Sequence, residues 1–239
     1  MKIFYYREVN STMDIAQNLA ERGVPEGSIV LADIQKEGRG RKGRKWYSPE
    51  GGLWFTIILY PKLKKEDLNF LPILMGVSII QGLEPFLSIS LNLKWPNDIE
   101  FKGKKVGGIL IESKWEGHVL KYVNVGIGIN LMIPPENFDN KDFKATSLLK
   151  YLKEKNKFLI LEKLYEKIME NYKNFPQNKK DIYEYFLKKF PYIGKEVLLY
   201  SESSQKIVKI IDISKDGSLL VEEDGEIKNY NWGVISVRT

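Results

Sequence analysis

The residues best suited to chemistry form one basic, glycine-rich run, Gln35-Lys36-Glu37-Gly38-Arg39-Gly40-Arg41-Lys42-Gly43-Arg44-Lys45-Trp46. Alternating Gly and Arg lets backbone N–H groups approach an anion closely while guanidinium forks surround it, which suits a phosphate. The same composition also fits a solvated basic turn or an Arg-Gly nucleic-acid patch, and the run has the spacing of neither a Walker loop nor a dinucleotide fingerprint. A second group is Lys94-Trp95-Pro96-Asn97-Asp98, followed by Lys104-Lys105-Val106-Gly107-Gly108-Ile109-Leu110-Ile111-Glu112. Here Pro96, Asn97 and Asp98 read as a turn and Trp95 as core. Lys105 heads an apolar strand with two glycines behind it, so its ammonium would hold an oxyanion where backbone must come close. In a third segment, Val125-Gly126-Ile127-Gly128-Ile129-Asn130, glycines alternate along one face of a buried strand. They serve either close packing or a floor for a flat ligand.

These segments need elements to carry them. A short strand over 3–6 leads to Asn10 and Ser11 as helix caps and to helical apolar spacing at Met13, Ala16, Leu19 and Ala20, closed by Gly23. Ser11 with Asp14 is a capping-box variant. Strand-like stretches at 28–34 and 53–60 flank the basic run, which makes it a long loop and a candidate functional one. A buried apolar helix is expected over 66–84, then strands over 91–95, 105–115 and 120–129. The pattern is helical from 145 to 189, broken at Pro176. Four or five short strands over 196–200, 207–213, 219–223 and 227–231, with turns at Lys215-Asp216-Gly217 and Asp224-Gly225, read as a small β-barrel-like appendix.

Composition narrows the chemistry. The 239 residues contain no cysteine, which excludes disulfides, thiolate zinc sites and cysteine nucleophiles, and a single histidine, His118, which argues against His-based metal clusters and Ser-His-Asp triads. His118 itself reads as a turn residue. The net charge of +6, from 37 Lys and Arg against 31 Asp and Glu, permits an anionic ligand without arguing for nucleic acid. No apolar run approaches the roughly 18 residues of a membrane span. The first residues do not form a signal peptide, so a cytoplasmic protein with no membrane partner is expected.

Gly38-Arg39-Gly40-Arg41-Lys42-Gly43-Arg44-Lys45-Trp46, Lys94-Trp95-Pro96-Asn97-Asp98, Lys105 with Gly107-Gly108-Ile109-Leu110-Ile111-Glu112, and Gly126-Ile127-Gly128-Ile129-Asn130, in this order and spacing, closely resemble the biotin protein ligases. The likeness extends to Asp216-Gly217-Ser218-Leu219-Leu220-Val221 and Gly233-Val234-Ile235-Ser236-Val237-Arg238, which are similar to the family's small C-terminal domain. It implies an α+β fold: a class II synthetase-like catalytic domain over 1–189, with a mixed β-sheet flanked by helices, and an SH3-like β-barrel over 190–239. It also implies chemistry in two steps. Biotin and MgATP give biotinyl-5′-adenylate and pyrophosphate, and a lysine of a biotin carboxyl carrier protein, the acetyl-CoA carboxylase subunit, then takes the biotin. A homodimer and a type without specific DNA binding are implied as well.

By the same resemblance Arg39, Arg41 and Arg44 grip the biotin carboxylate and the phosphates, and Lys105 holds the acyl and phosphate oxygens. Ser11, Thr12 and Gln35 sit by the ureido ring, with Gly38, Gly107, Gly108 and Gly128 also in the biotin site and the Gly108 and Gly128 backbones against the bicyclic ring. Lys45, Trp46, Asn97 and Asn130 belong to the ATP and adenylate site, Trp46 packing on adenine. Ser11 reads equally as a helix cap. Met13 departs from the family, which usually has a polar residue there, and any ureido contact from that position is lost. Glu37, Asp98 and Glu112 are candidate neighbours of a magnesium ion, with no ligand set assigned. The alternatives are a lipoate ligase of the same fold, a basic-loop nucleic-acid binder, and a biotin-binding protein without catalysis.

Overall fold

The computed structural model describes residues 1–138, 144–200, 205–231 and 236–238. Strand β1 (Ile3–Val9), helix α1 (Thr12–Glu21) and strand β2 (Ile29–Gln35) form a β–α–β unit whose strands pair in parallel. Ser11 caps α1 by accepting from the Met13 N–H at 3.3 Å, as its position predicts. Strand β3 (Leu53–Leu59) follows, then α2 (Lys65–Leu68) and α3 (Leu71–Leu83). The single helix expected over 66–84 is therefore two, because Pro72 lacks an N–H and fits the first turn of a new helix rather than the middle of a long one. Next come β4 (Asn92–Lys94), β5 (Asp98–Phe101), β6 (Lys104–Glu116) and β7 (Val119–Ile129). The sheet order is β1-β2-β3-β7-β6-β5-β4, antiparallel except for β1 and β2.

Strand alternation divides this sheet into two unlike faces. Leu53, Phe55, Ile57 and Leu59 of β3, with Val123, Val125, Ile127 and Ile129 of β7, join the main core with α3 and with α4 (Lys157–Lys173). The opposite face carries Val30, Ile58 and Tyr122 under Ala16 and Ala20 of α1. Because α1 covers β2, β3 and one end of β7, the rest of that face, over β7 and β6, is left for a groove.

After α5 (Lys179–Lys189) come β8 (Glu196–Tyr200), β9 (Gln205–Ile213), β10 (Leu219–Glu223), β11 (Glu226–Tyr230) and β12 (Ser236–Arg238), an antiparallel sheet of order β11-β10-β9-β8-β12. Gly233, Val234 and Ile235 lie outside the described residues. Among those described, β11 and β12 do not pair, so the expected barrel is not closed. The inner face packs elsewhere: Val197, Leu199, Val208, Ile210 and Val221 belong to the same core as α3 and α5. Where a barrel would fill its interior with its own side chains, this sheet shares the core of α3 and α5.

Glu223 illustrates the local electrostatics. It is 3% exposed and accepts from Lys206, from Tyr230 Oη at 2.6 Å and from Lys228 at 3.2 Å. The Lys206 bond, helped by Tyr230, holds its carboxyl down from the ordinary 4.5 to about 2. A depressed carboxylate pKa stabilises the fold above the unfolded value and loses that contribution as the carboxylate protonates. We predict that melting temperature falls as pH drops from 4.5 toward about 2, and that E223Q flattens this dependence in thermal melts followed by circular dichroism. An unchanged slope would contradict it.

Candidate active site

Cross-strand registers build the floor of the groove. Trp54, Gly128, Gly108 and Asp98 form one row across β3, β7, β6 and β5, and Thr56, Gly126 and Leu110 form the next. A Cβ on Gly128 would stand 2.6 Å from Trp46 Nε1, one on Gly108 3.0 Å from Trp46 Cζ3, and one on Gly126 2.7 Å from Met13 Sδ. Large side chains thus lie directly on bare backbone. Gly108 and Gly128 lie on the groove floor, and the body against them here is the Trp46 indole. Trp46 Nε1 is buried with no hydrogen-bond partner, so it can donate to a ligand acceptor.

One end of the groove is polar. Ser11 and Thr12 are 1% and 3% exposed. Gln35 Oε1 accepts from Thr12 N at 2.9 Å and Thr12 Oγ1 at 3.0 Å, Gln35 Nε2 donates to Ser48 Oγ at 3.0 Å, and Thr56 Oγ1 donates to Thr12 Oγ1 at 2.8 Å. This network fixes the amide orientation of Gln35. The other end carries cations, Arg41, Arg44, Lys45 and Lys105, and Arg39 also lines the groove. Lys105 Nζ is 2.6 Å from Asp98 Oδ1 and 4.9 Å from the centre of the Trp46 ring. Arg41 Nη1 donates to Asn97 Oδ1 at 3.2 Å, and Asn97 Nδ2 donates to the Ile109 carbonyl at 2.7 Å. Burial pushes the Arg41 guanidinium down to about 10, outweighing the attraction of Asp98, with Arg44 adding repulsion. It stays charged at neutral pH, and an incoming anion would relieve the cost of burying it.

Arg39 is placed differently. Its Nε and Nη2 donate to the two Glu112 oxygens at 3.0 Å each, and Nη1 donates to Asp14 Oδ1 at 2.6 Å. The Glu112 fork raises its pKa, with Asp14 adding to the shift. All three nitrogens face carboxylates, so Arg39 ties the basic loop to α1 and β6 rather than offering an open fork. Asp14 therefore serves Arg39 in addition to sitting in the first turn of α1. Gly38 and Gly107 do not line the groove. A Cβ on Gly38 would meet Ser48 Oγ and the Trp46 carbonyl, each at 2.6 Å, where the loop returns on itself, and one on Gly107 would meet Ile99 and the Gly128 carbonyl on the core side. Asn130 reaches the groove, but its Nδ2 donates to the Thr146 carbonyl at 3.0 Å. Glu37, Asp98 and Glu112 are not gathered for a metal, and no group of three or more His, Asp or Glu placed to hold a metal ion occurs among the described residues. Sequence reasoning missed Tyr47, Phe138 and Ala145 as groove walls, and no local spacing marks them as such.

A profile of the Biotin/lipoate A/B protein ligase family matches residues 5–130, and one of the Biotin protein ligase C terminal domain matches 192–238. The chain belongs to the biotin/lipoate A/B protein ligase family. The bifunctional ligase/repressor BirA of Bacillus subtilis (strain 168) is 42% identical to this ligase-family chain over 149 residues, 61% of the chain and 46% of that protein. The biotin--[acetyl-CoA-carboxylase] ligase of Paracoccus denitrificans is 39% identical over 117 residues, 48% of each. The matches span about half the length of these relatives. Among solved structures, the biotin protein ligase of Aquifex aeolicus in complex with biotin and ATP is 35% identical, with a TM-score of 0.80 over 99% of this chain and 98% of that one.

The Arg39 clamp yields a prediction for the ligase loop. E112Q removes the bidentate ion pair, and because the partners are part-exposed the global cost is about 1 kcal/mol or less. Tryptic cleavage at Arg41, Lys42, Arg44 and Lys45, read by mass spectrometry, should accelerate while the melting temperature holds. Unchanged cleavage would show that Arg39 does not tether the loop.

Proposed function

We propose that this protein is a biotin protein ligase that makes biotinyl-5′-adenylate from biotin and ATP and passes the biotin to a lysine of a carrier protein. The observation that carries this reading is the meeting, on one glycine floor, of a buried polar end and a cationic end. A ureido ring offers both donors and acceptors to Ser11, Thr12 and Gln35, whereas the dithiolane ring of lipoate offers neither N–H nor C=O. A site built for such bonds rejects an analogue that leaves its groups unpaired, which favours biotin over lipoate. Against a nucleic-acid role, Arg39 is engaged inward by Asp14 and Glu112.

In the first step a biotin carboxylate oxygen attacks the α-phosphorus of ATP and pyrophosphate leaves. Several anionic oxygens crowd together, and Arg41, Arg44, Lys45 and Lys105 supply the opposing charge, with Arg41 already oriented by Asn97 and Lys105 by Asp98. In the second step the carrier amine attacks the acyl carbon, the C–O bond to phosphate breaks, AMP leaves and the amine loses a proton. Neither step needs an enzyme nucleophile. We assign magnesium to the phosphates of ATP, since Asp98 and Glu112 are held by Lys105 and Arg39 and hard cations on nucleotides borrow phosphate oxygens. The proposal includes a catalytic unit over 1–189 with a C-terminal unit over 190–239, a biotin carboxyl carrier protein as acceptor, a homodimer, and action in the cytoplasm. No helix among the described residues is long and apolar enough to cross a membrane.

The test is acid-dependent exchange of labelled pyrophosphate into ATP, comparing biotin, lipoate and no acid. Exchange with biotin alone is expected; exchange driven by lipoate, or none, would overturn the reading. Lys105→Ala should lower that exchange by about 100-fold, the scale of one lost oxyanion donor. Arg41→Gly should let adenylate escape and raise the labelling of bystander lysines about ten-fold, the worth of one charge-assisted hydrogen bond. Streptavidin blots of added albumin measure this, and adenylate formation without extra labelling would contradict it.

A further inference from the structure

The turn carrying Asn97 and Asp98 is gripped from the C-terminal sheet. Trp95, just before it, is 2% exposed, and its indole N–H donates to the Gly217 carbonyl at 2.9 Å, across 122 residues of sequence. Gly217 lies in the β9–β10 turn at φ +92°, where a side chain would be strained and would meet the Asn69 carbonyl at 3.0 Å and Phe70 Cα at 3.2 Å. The turn is thus seated against the body of the molecule. Asp216 holds its shape, accepting from Ser218 N at 3.1 Å and from the hydroxyls of Ser214 and Ser218. On the far side of the β4–β5 hairpin, Glu100 is 4% exposed, accepts from the Tyr192 hydroxyl and lies 3.4 Å from Lys94 Nζ. Two groups that follow residue 190 therefore fix the hairpin from which Asn97 reaches Arg41 and Asp98 reaches Lys105.

We propose that the Gly217 carbonyl, through Trp95, is a positioning group for adenylation, setting the height of the Asn97–Asp98 turn and with it the placement of Arg41 and Lys105. The Tyr192 hydroxyl steadies the same hairpin through Glu100. This inference rests on the ligase reading. It assigns the β9–β10 turn a part in the chemistry although that turn supplies no atom to the groove. Displacing a catalytic cation by about 1 Å is enough to cost on the order of 100-fold in rate, so loosening one of two anchors should cost about ten-fold.

Two variants test it. Trp95→Phe keeps an aromatic ring in place of the groove-lining indole and deletes the donor, while Asp216→Ala loosens the turn from a part-exposed position outside the groove lining. Both should lower kcat for biotin-dependent pyrophosphate exchange, W95F by about ten-fold and D216A by less. Affinity for biotin methyl ester, which presents the ring without the carboxylate, should stay within about three-fold of wild type, because the Ser11, Thr12 and Gln35 end is untouched. A purely structural role would instead lower the melting temperature and leave kcat and KM of the folded protein unchanged, and that result overturns the proposal. If W95F does not fold, the same split in D216A decides. Absence of exchange in the wild type would defeat the ligase reading as well, whereas active wild type with unimpaired variants defeats this proposal alone.

Discussion

A flat ligand can lie on a β-sheet only where side chains do not stand up from it, and the active face of this protein depends on that constraint. Gly108 and Gly128 clear one row across β6 and β7, and Gly126 extends the strip along β7. Bare backbone contributes little packing of its own, so the strip has to be held from behind. Val125, Ile127 and Ile129 alternate with those glycines and lock the same strand into the core with α3 and α4. One strand thereby serves as floor on one side and as core on the other. Met13 and Trp46 meet the strip from opposite ends of the groove and show how closely bulky groups can approach it.

The second requirement is to gather like charges without driving the groove apart. Carboxylates and amides do this, and they also divide the arginines into roles. Arg39 and Arg41 are two residues apart in one loop, yet Glu112 raises the pKa of one while burial lowers that of the other. The first is a tether. The second is a half-buried cation that gains from an anion. Lys105 stands between them in character, already aimed by Asp98 and lying against the Trp46 ring. Such preorganisation means that charge developing on a phosphate or acyl oxygen meets donors that need not reorient. The β4–β5 hairpin supplies the aiming groups, and its own support comes from the C-terminal sheet.

Much of this was legible in the residues. The basic loop, Lys105, the Asn97–Asp98 turn and the alternating glycines of β7 were each recognisable, and the structure brings them to one groove. What was not legible depends on parity and distance. Gly107 and Gly108 are neighbours in sequence but point to opposite faces, and the side facing the groove is set only when β6 registers against β5 and β7. Strand β5 is four residues long directly after a turn signal, too short for periodicity to show. The partners of Arg39 are 25 and 73 residues away, and no local pattern announces an ion pair of that span. Barrel closure failed as an expectation because the inner face of the C-terminal sheet found its apolar cover on α3 and α5.

The central claim is that one groove holds ring, acyl phosphate and base in a single line from the Gln35 end to the Lys105 end. The measurement that tests it most directly is a crystal structure with a non-hydrolysable biotinyl-adenylate analogue. The account predicts the ureido ring within hydrogen-bonding distance of Thr12 or Gln35, the bicyclic ring on Gly108 and Gly128 with Trp46 moved off them, and the phosphate mimic on Arg41 and Lys105. A ligand bound away from the glycine strip, or one whose phosphate mimic is held by Arg39 with Glu112 released, would contradict it.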